Sequence, residues 1–394
     1  MIYVPTRVKL PKNGNFKRVP PRKPSDRQEN YLDRFDFETL FSDVFIQDGR
    51  LWMIGPPFLN LEREMRAAEI KWNWSDVTEE VLFENLNRMS RASFPVMHDT
   101  GVLEIDSALG GWKIDVDTAP TSNFKDANVL VTQQQDNRLE WIAYWAYFNA
   151  QINGVDSIVV YDNCSELYSA ELVDQVLSRI PGIKNHLVVK WDTPYGVTGG
   201  PNNVWDSDFG QHISWEHCRR SFAGDARTVC IIDVDELPIV PAGEQLSTML
   251  GESTKPALFF KRQPIRQHAN RCQKNNEMRV HESFSLGETR GAWLASKFIY
   301  SPTRLPENAQ LLVHRIQGVD QEAESENEVF AGHFDGIRIR WRHGEKQPVP
   351  LVESVEAISA PVKVLESFDS AFDRLKNGWE AILEELSPFF EQQR

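Results

Sequence analysis

The rhythm of apolar and polar positions changes along this chain, and each change predicts a different kind of structure. Up to about residue 120 the apolar runs are short and bounded by turns. Within residues 43–54 two of them flank Asp48-Gly49, the strongest short hairpin signal. A second hairpin is predicted over residues 102–116, with Gly110-Gly111 at its turn. From about residue 127, buried strands alternate with helices. Residues 128–132 form a strand, and Leu139, Ile142, Ala143, Ala146, Tyr147 and Ala150 then share one helical face, with Asp136 or Asn137 as the cap. Residues 157–161 form the second strand. The helix after it carries Leu172, Val173, Val176, Leu177 and Ile180 and is closed by Pro181-Gly182. Residues 186–191 are the third strand. A polar, Gly-rich stretch over 193–210 and a helix over 213–222 lead to a fourth strand, which ends at Asp233. Close to the end of the chain, Phe368, Ala371, Phe372, Leu375, Trp379, Ile382, Leu383 and Leu386 line one helical face around a weak point at Gly378.

This alternation predicts an α/β fold: a mostly parallel sheet with right-handed crossovers, helices on both faces, and the strand-end loops gathered along one edge. Thr132, Asp162 and Asp233 then face one crevice. The predicted organisation is a basic, Pro-rich arm (1–30), a small strand-rich module (31–120), the α/β domain (121–345) and an amphipathic helical segment (346–394). That last face docks within the chain or on a second copy in a homodimer. Trp72, Trp74 and Trp112 belong either to the core of the module or to a sugar-stacking surface.

Composition narrows the function. A chain of 394 residues, 41% hydrophobic, can fill about two domains. A net charge of -14 speaks against a nucleic-acid binder, which needs a concentrated basic surface. The first thirty residues run the other way, with eight Lys or Arg against Asp26 and Glu29, and five prolines. Such a segment is extended; it either packs on the body or makes a peripheral contact with an anionic membrane. No run approaches the roughly 20 apolar residues that span a bilayer, and no apolar signal core opens the chain, so the cytoplasm is the expected compartment. Cys164, Cys218, Cys230 and Cys272 lie far apart, which suggests neither a zinc site nor a disulfide framework.

The stretch Thr228-Val-Cys-Ile-Ile-Asp-Val-Asp-Glu-Leu237 carries the candidate chemistry. A buried strand that runs into three carboxylates is a natural seat for a hard cation, Mn²⁺ or Mg²⁺, and such an ion usually shares its coordination with substrate phosphates. A strand end can also turn acidic simply because the chain returns to water.

Leu139-Glu-Trp-Ile-Ala-Tyr144, Gly154-Val-Asp156, Tyr161-Asp-Asn-Cys-Ser165 and Ile232-Asp-Val-Asp-Glu236 occur in that order, and together they resemble the family 92 glycosyltransferases and related family 2-like bacterial enzymes over residues 127–345. The resemblance implies a GT-A fold, an Asp-X-Asp metal site, a nucleotide-sugar donor and a glycan or glycolipid hydroxyl as acceptor. It implies hexosyl transfer with inversion, as in polysaccharide biosynthesis. Asp235 is the implied direct metal ligand, and Asp233 reaches the ion through water or contacts the donor ribose. Asp162 and the strand end from Thr132 to Gln135 line the nucleoside pocket. Lys297 faces the phosphates, and His314 and His333 complete the metal shell or bind the diphosphate. Glu282 is the implied base, with Asp335 as the alternative. The acidic run 320–328 reads as a loop over the site. Where the family commonly has Lys-Asn-Glu this chain has Gln134-Gln-Asp-Asn137, Trp145 replaces a usual His, and Leu237 stands where Phe is common. These departures bear on the nucleoside edge more than on the metal. Two other readings remain: a metal-dependent phosphotransferase or phosphohydrolase, and a non-catalytic sugar- or nucleotide-binding protein.

Overall fold

The computed structural model describes residues 1–120, 122–266, 280–283, 286–287, 293–321, 329–343 and 362–393. Its centre is a ten-stranded sheet. In chain order the strands are β1 (Ile2–Tyr3), β2 (Asn128–Gln134), β3 (Ser157–Asp162), β4 (Asn185–Lys190), β5 (Thr228–Ile231), β6 (Glu236–Ile239), β7 (Ala257–Arg266), β8 (Leu286–Gly287), β9 (Leu294–Tyr300) and β10 (Phe330–Phe334). In space they run β1-β4-β3-β2-β5-β9-β7-β10-β6, with β8 beside β7. From β1 to β5 every pairing is parallel. Beyond β5 the sheet is mixed, because β9 runs antiparallel to both β5 and β7 while β7 and β10 are parallel.

The continuous apolar runs of β2 to β5 follow from burial on both faces. Leu130, Ile158, Val160, Val188 and Cys230 point into one core, and Val129, Val131, Val159, Leu187, Val189 and Val229 into the other. The first core is covered by helices α1 (Leu139–Ile152) and α2 (Ala170–Leu177), and the second by α3 (Phe209–Ser221). A short helix, α4 (Leu246–Glu252), follows β6. The architecture is mixed α/β, with a parallel half that accepts helices on both faces.

Helix α1 is buried on nearly every side, including Glu140 and Asn149, because a further helix covers its outer surface. This is α5 (Val362–Phe390), which docks within the chain. Trp379 meets Tyr144 edge-on at 4.9 Å between ring centroids, and Phe372 meets Phe148 at 6.0 Å. Gly378 sits where this contact is tightest: the Tyr147 hydroxyl occupies the place a Cβ would take. The glycine that weakens the helix in isolation is the one that lets it approach.

The N-terminal module contains two small antiparallel sheets. One has the order Asp43–Gln47, Arg50–Gly55, Met89–Pro95, Leu82–Leu86, and the other Gly110–Asp117, Thr100–Ser107, Glu69–Trp72, Ser75–Asp76. Asp48 (φ 50°) and Gly49 (φ 68°) both adopt the left-handed conformation that a two-residue hairpin turn requires. Trp72 is buried and Trp112 donates Nε1 to the Lys9 carbonyl, whereas Trp74 is 72% exposed. Phe45, Trp52 and Ile54 join the core beneath α3, so the module is continuous with the sheet.

Residues 1–30 pack along the body. Ile2–Tyr3 adds the edge strand β1, and Val8–Lys9 pairs with Thr39–Phe41. Arg18 and Arg22 are buried; Arg18 is held by the carbonyls of Asp36, Thr39 and Pro57. Cys164, Cys218 and Cys230 are free thiols, and Cys272 lies outside the described residues. No helix among the described residues is long and apolar enough to cross a membrane.

Candidate functional site

Strand β5 stops at Ile231, and the chain turns within four residues into β6. Ile232 and Val234 of the turn point into the core. Asp233 and Asp235 are left for the sheet's carboxyl edge. The turn is closed by the Glu236 amide donating to the Asp233 carbonyl at 3.0 Å, and in return the Glu236 carboxylate accepts the Asp233 amide at 3.0 Å. Glu236 is fully buried. It also accepts Arg262 of β7 at 2.6 Å and lies 3.4 Å from Lys297 of β9. One carboxylate thus ties together a turn and two strands that are distant in sequence.

The two aspartates have opposite electrostatic settings. Asp233 is gripped on both oxygens, by Arg342 at 2.7 Å and by Lys297 at 3.2 Å. Burial alone would raise its carboxyl, but Arg342 and Lys297 outweigh that and hold it far below the usual carboxylate range. Arg342 is itself stacked against Tyr195 and Trp341, each 5.4 Å from the ring centroid. Asp235 has no such clamp. Burial, with the Asp233 and Glu236 charges adding, pushes it up to about 6, and His333 only partly offsets this from 3.5 Å. His333 stands opposite Glu236 in the β6–β10 register, and its other ring nitrogen lies 3.5 Å from Asp335, which Arg338 approaches at 3.4 Å. Burial would lower the His333 imidazole, but Asp235 and Asp335 bring it above its ordinary value.

These groups open onto a cleft of roughly 210 Å³. Its floor carries Gln133 of β2, Asn137 of the loop that follows, and Asp233 and Asp235 from the turn. Its wall comes from residues 337–343. Ile337, Ile339 and Trp341 are buried there, while Arg338, Arg340, Arg342 and His343 line the cleft with Arg262 and His314. His314 donates its Nδ1 hydrogen to the Ser296 carbonyl, 3.1 Å away. Burial, then Lys297 and Arg262, lower it to about 4, so it is neutral at pH 7. Buried nitrogens without hydrogen-bond partners remain in this wall, Nε of both Arg338 and Arg342 among them.

Among the sequence-derived candidates, Asp233, Asp235, His314 and His333 line this cleft, Lys297 lies directly behind it, and Asp335 touches His333. Thr132, Gln135, Asp162 and Glu282 are not among its lining residues. Thr132 is buried with its hydroxyl unbonded, and Gln135 donates to the Cys164 carbonyl at 3.2 Å. Asp162 accepts Gln134 and Ser165, both at 2.5 Å, and burial pushes its carboxyl up to about 6. Glu282 accepts the Tyr144 hydroxyl at 3.3 Å, and burial raises it too; Lys376 and Glu380 of α5 are the charges that face it. Residues 322–328 of the acidic run lie outside the described residues.

Sequence reasoning missed Arg262, Arg338, Arg340, Arg342 and Asn137, whereas Gln133 falls within the Thr132 to Gln135 strand end it singled out. A signal existed for the arginines: Ile337-Arg-Ile-Arg-Trp-Arg342 interleaves three arginines with apolar residues, and the apolar ones anchor the segment in the core.

Asp235, Glu236 and His333 bring one donor atom each within 4.8 Å of one another, a set of two carboxylates and an imidazole that suits Mn²⁺ or Mg²⁺. Glu236 already satisfies Arg262, Lys297 and an amide, so Asp235 and His333 are the members with capacity to spare.

No family model matches the chain, and no curated protein matches it. Among solved structures it is similar to an apo structure of the WbbM bifunctional glycosyltransferase, at 15% identity and a TM-score of 0.25, covering 41% of this chain and 27% of that one. The chain thus spans about a quarter of that neighbour's length. A likeness of this size carries no argument. What the fold and site define by themselves is a mixed α/β protein with an acidic turn and an arginine wall at the carboxyl edge of its sheet.

Proposed function

We propose that the chain is a glycosyltransferase, moving a sugar from a nucleotide-sugar donor to a hydroxyl of a glycan or glycolipid. The observation that carries this reading is Asp235, only partly offset by His333 at 3.5 Å and facing a wall of arginines across one cleft. Asp235 and His333 would hold Mn²⁺ or Mg²⁺, and a bound ion would neutralise charge on the departing nucleoside diphosphate. Arg338, Arg340 and Arg342 present planar forks that match phosphate oxygens. Asp233, clamped by Arg342 and Lys297, keeps that wall in register with the turn. Asp335 meets Nδ1 of His333, so the role its contacts support is to orient the imidazole rather than to take the acceptor proton.

The phosphotransfer alternative is weaker on the same geometry. An aspartyl nucleophile needs a free oxygen, and both oxygens of Asp233 are engaged. The test is a thermal-shift screen of nucleotide sugars with and without Mn²⁺, since a ligand of the native state raises its apparent stability. A cation-dependent shift with one donor class is expected. No shift with any nucleotide sugar would remove the donor reading, and equal shifts with and without Mn²⁺ would remove the metal.

A further inference from the structure

Residues 20–34, read from the sequence as part of an arm and a module boundary, are stitched to the loop between β4 and α3 and to the cleft wall. Arg22 is 1% exposed and spans both legs of that loop. On the outgoing leg its Nη1 donates to the Thr198 carbonyl at 3.0 Å. On the returning leg Nη2 donates to the Val204 carbonyl, and Nη2 and Nε donate to the Asp206 carboxylate at 2.8 and 3.0 Å. Gln28 accepts another Nη1 hydrogen at 2.6 Å and donates to Thr198 at 3.2 Å. The Tyr31 ring lies 4.9 Å from the guanidinium, with its hydroxyl 2.7 Å from Ser207. Only a guanidinium fork can serve acceptors in this arrangement.

The loop so held begins beside Tyr195, and Tyr195 is the platform for Arg342. Its hydroxyl donates to Gln211 at 3.0 Å, and its ring meets Trp341 edge-on at 5.1 Å. Arg342 in turn grips Asp233. A second, separate contact comes from the same segment: Arg34 donates to the Trp341 carbonyl at 3.2 Å.

We infer that Arg22 and Arg34 are positioning residues for the cleft, setting the arginine wall against the acidic turn through Tyr195 and Trp341. Neither touches the cleft itself. Without Arg22 the two legs of the loop lose their shared donor, the Tyr195 platform relaxes, and Arg342 is freed from its register with Asp233. The basic segment, read as an arm that packs on the body or contacts a membrane, is therefore part of the site's scaffold. The binding consequence rests on the proposed reading of the cleft as a phosphate site; the mechanical one does not.

The experiment compares full-length wild type with Arg22→Met, Arg22→Lys and Arg34→Met. The first readout is hydrogen exchange. Arg22→Met is expected to speed exchange in residues 193–208 and also in residues 337–343, with Arg22→Lys intermediate and Arg34→Met affecting mainly 337–343. Faster exchange confined to 193–208 in Arg22→Met would overturn the inference. The second readout is binding of inorganic pyrophosphate with Mg²⁺, expected to weaken about tenfold in both Met variants. Wild-type strength in variants whose loops are loosened would overturn it as well. If wild type itself does not bind pyrophosphate, the phosphate reading of the cleft fails, and the exchange pattern alone decides on positioning. Should Arg22→Met fail to fold, Arg22→Lys and Arg34→Met carry both measurements.

Discussion

Two clusters of buried charge are built from the same residue types. In the first, Glu216 of α3 is fully buried among Arg91, Arg220 at 2.9 Å and Arg219 at 3.6 Å. Arg91 continues to Glu84 at 2.6 Å and Arg220 to Glu307 at 3.1 Å, and both guanidinium groups lie over the Trp52 ring. Every charge there has its counter-charge, and the cluster joins the N-terminal module to the body. At the carboxyl edge, Asp233 and Glu236 are paired just as thoroughly with Arg342, Lys297 and Arg262. Asp235 is the surplus. The mark of a working site here is the charge left without a full partner, not the number of charges.

Replacing the surplus charge should have the largest effect. Asp235→Asn is expected to lower Mn²⁺-dependent donor turnover by roughly a thousandfold or more, equivalent to about 4 kcal/mol of barrier, while thermal stability is retained or rises. Initial rates and melting temperature check both halves, and unchanged rates would break the contrast between the clusters. Glu216→Gln should do the reverse. Removing one partner of a buried ion cluster costs about 3–5 kcal/mol, so urea unfolding should shift strongly while nucleotide-sugar affinity of the folded protein holds. Burial raises the Glu216 carboxyl, but Arg219, Arg220 and Arg91 together lower it further. Its stabilisation is therefore present at neutral pH and is lost only as pH falls through that depressed value.

Asp162 provides an intermediate case, a buried carboxylate served by an amide and a hydroxyl but by no cation. With its carboxyl raised from 3.8 to about 6, the native state holds the proton more tightly than the unfolded chain, so wild-type stability falls as pH rises through that window. Asp162→Asn should match wild type below pH ~4 and exceed it above pH ~6, by up to about 3 kcal/mol. Denaturant titrations at both ends measure the difference. The smallest effect expected is on the wall: Arg338→Met should raise donor KM about tenfold with little change in stability, as loss of one charge-assisted phosphate contact implies.

The parallel half of the sheet was legible because its information is local. Strand, helix and strand follow one another in β2 to β5, and each apolar run is buried by its own neighbours. The turn at Asp233 and Asp235 was legible for the same reason, and Lys297, His314 and His333 came from the ordered resemblance. The rest depends on contacts distant in sequence. Glu236 looks like a third member of an acidic triplet until Arg262 and Lys297 arrive from other strands. At the end of β2 the parity of side chains turns Gln133 toward the cleft and Thr132 away from it, while Gln135, past the strand's end, is tied to the Cys164 carbonyl. The Pro-rich run gives no sign of where Arg22 packs, since its acceptors Thr198, Val204 and Asp206 lie far along the chain.

Gly378 carries a warning for anyone who would engineer this protein. Exchanging a mid-helix glycine for alanine is a routine stabilising substitution, worth roughly 0.5–1 kcal/mol in helix propensity. In α5 the added methyl group would land on the Tyr147 hydroxyl. Accommodating it means pushing α5 away from α1 and loosening the Trp379 and Phe372 contacts between them, so the expected sign of that redesign is reversed.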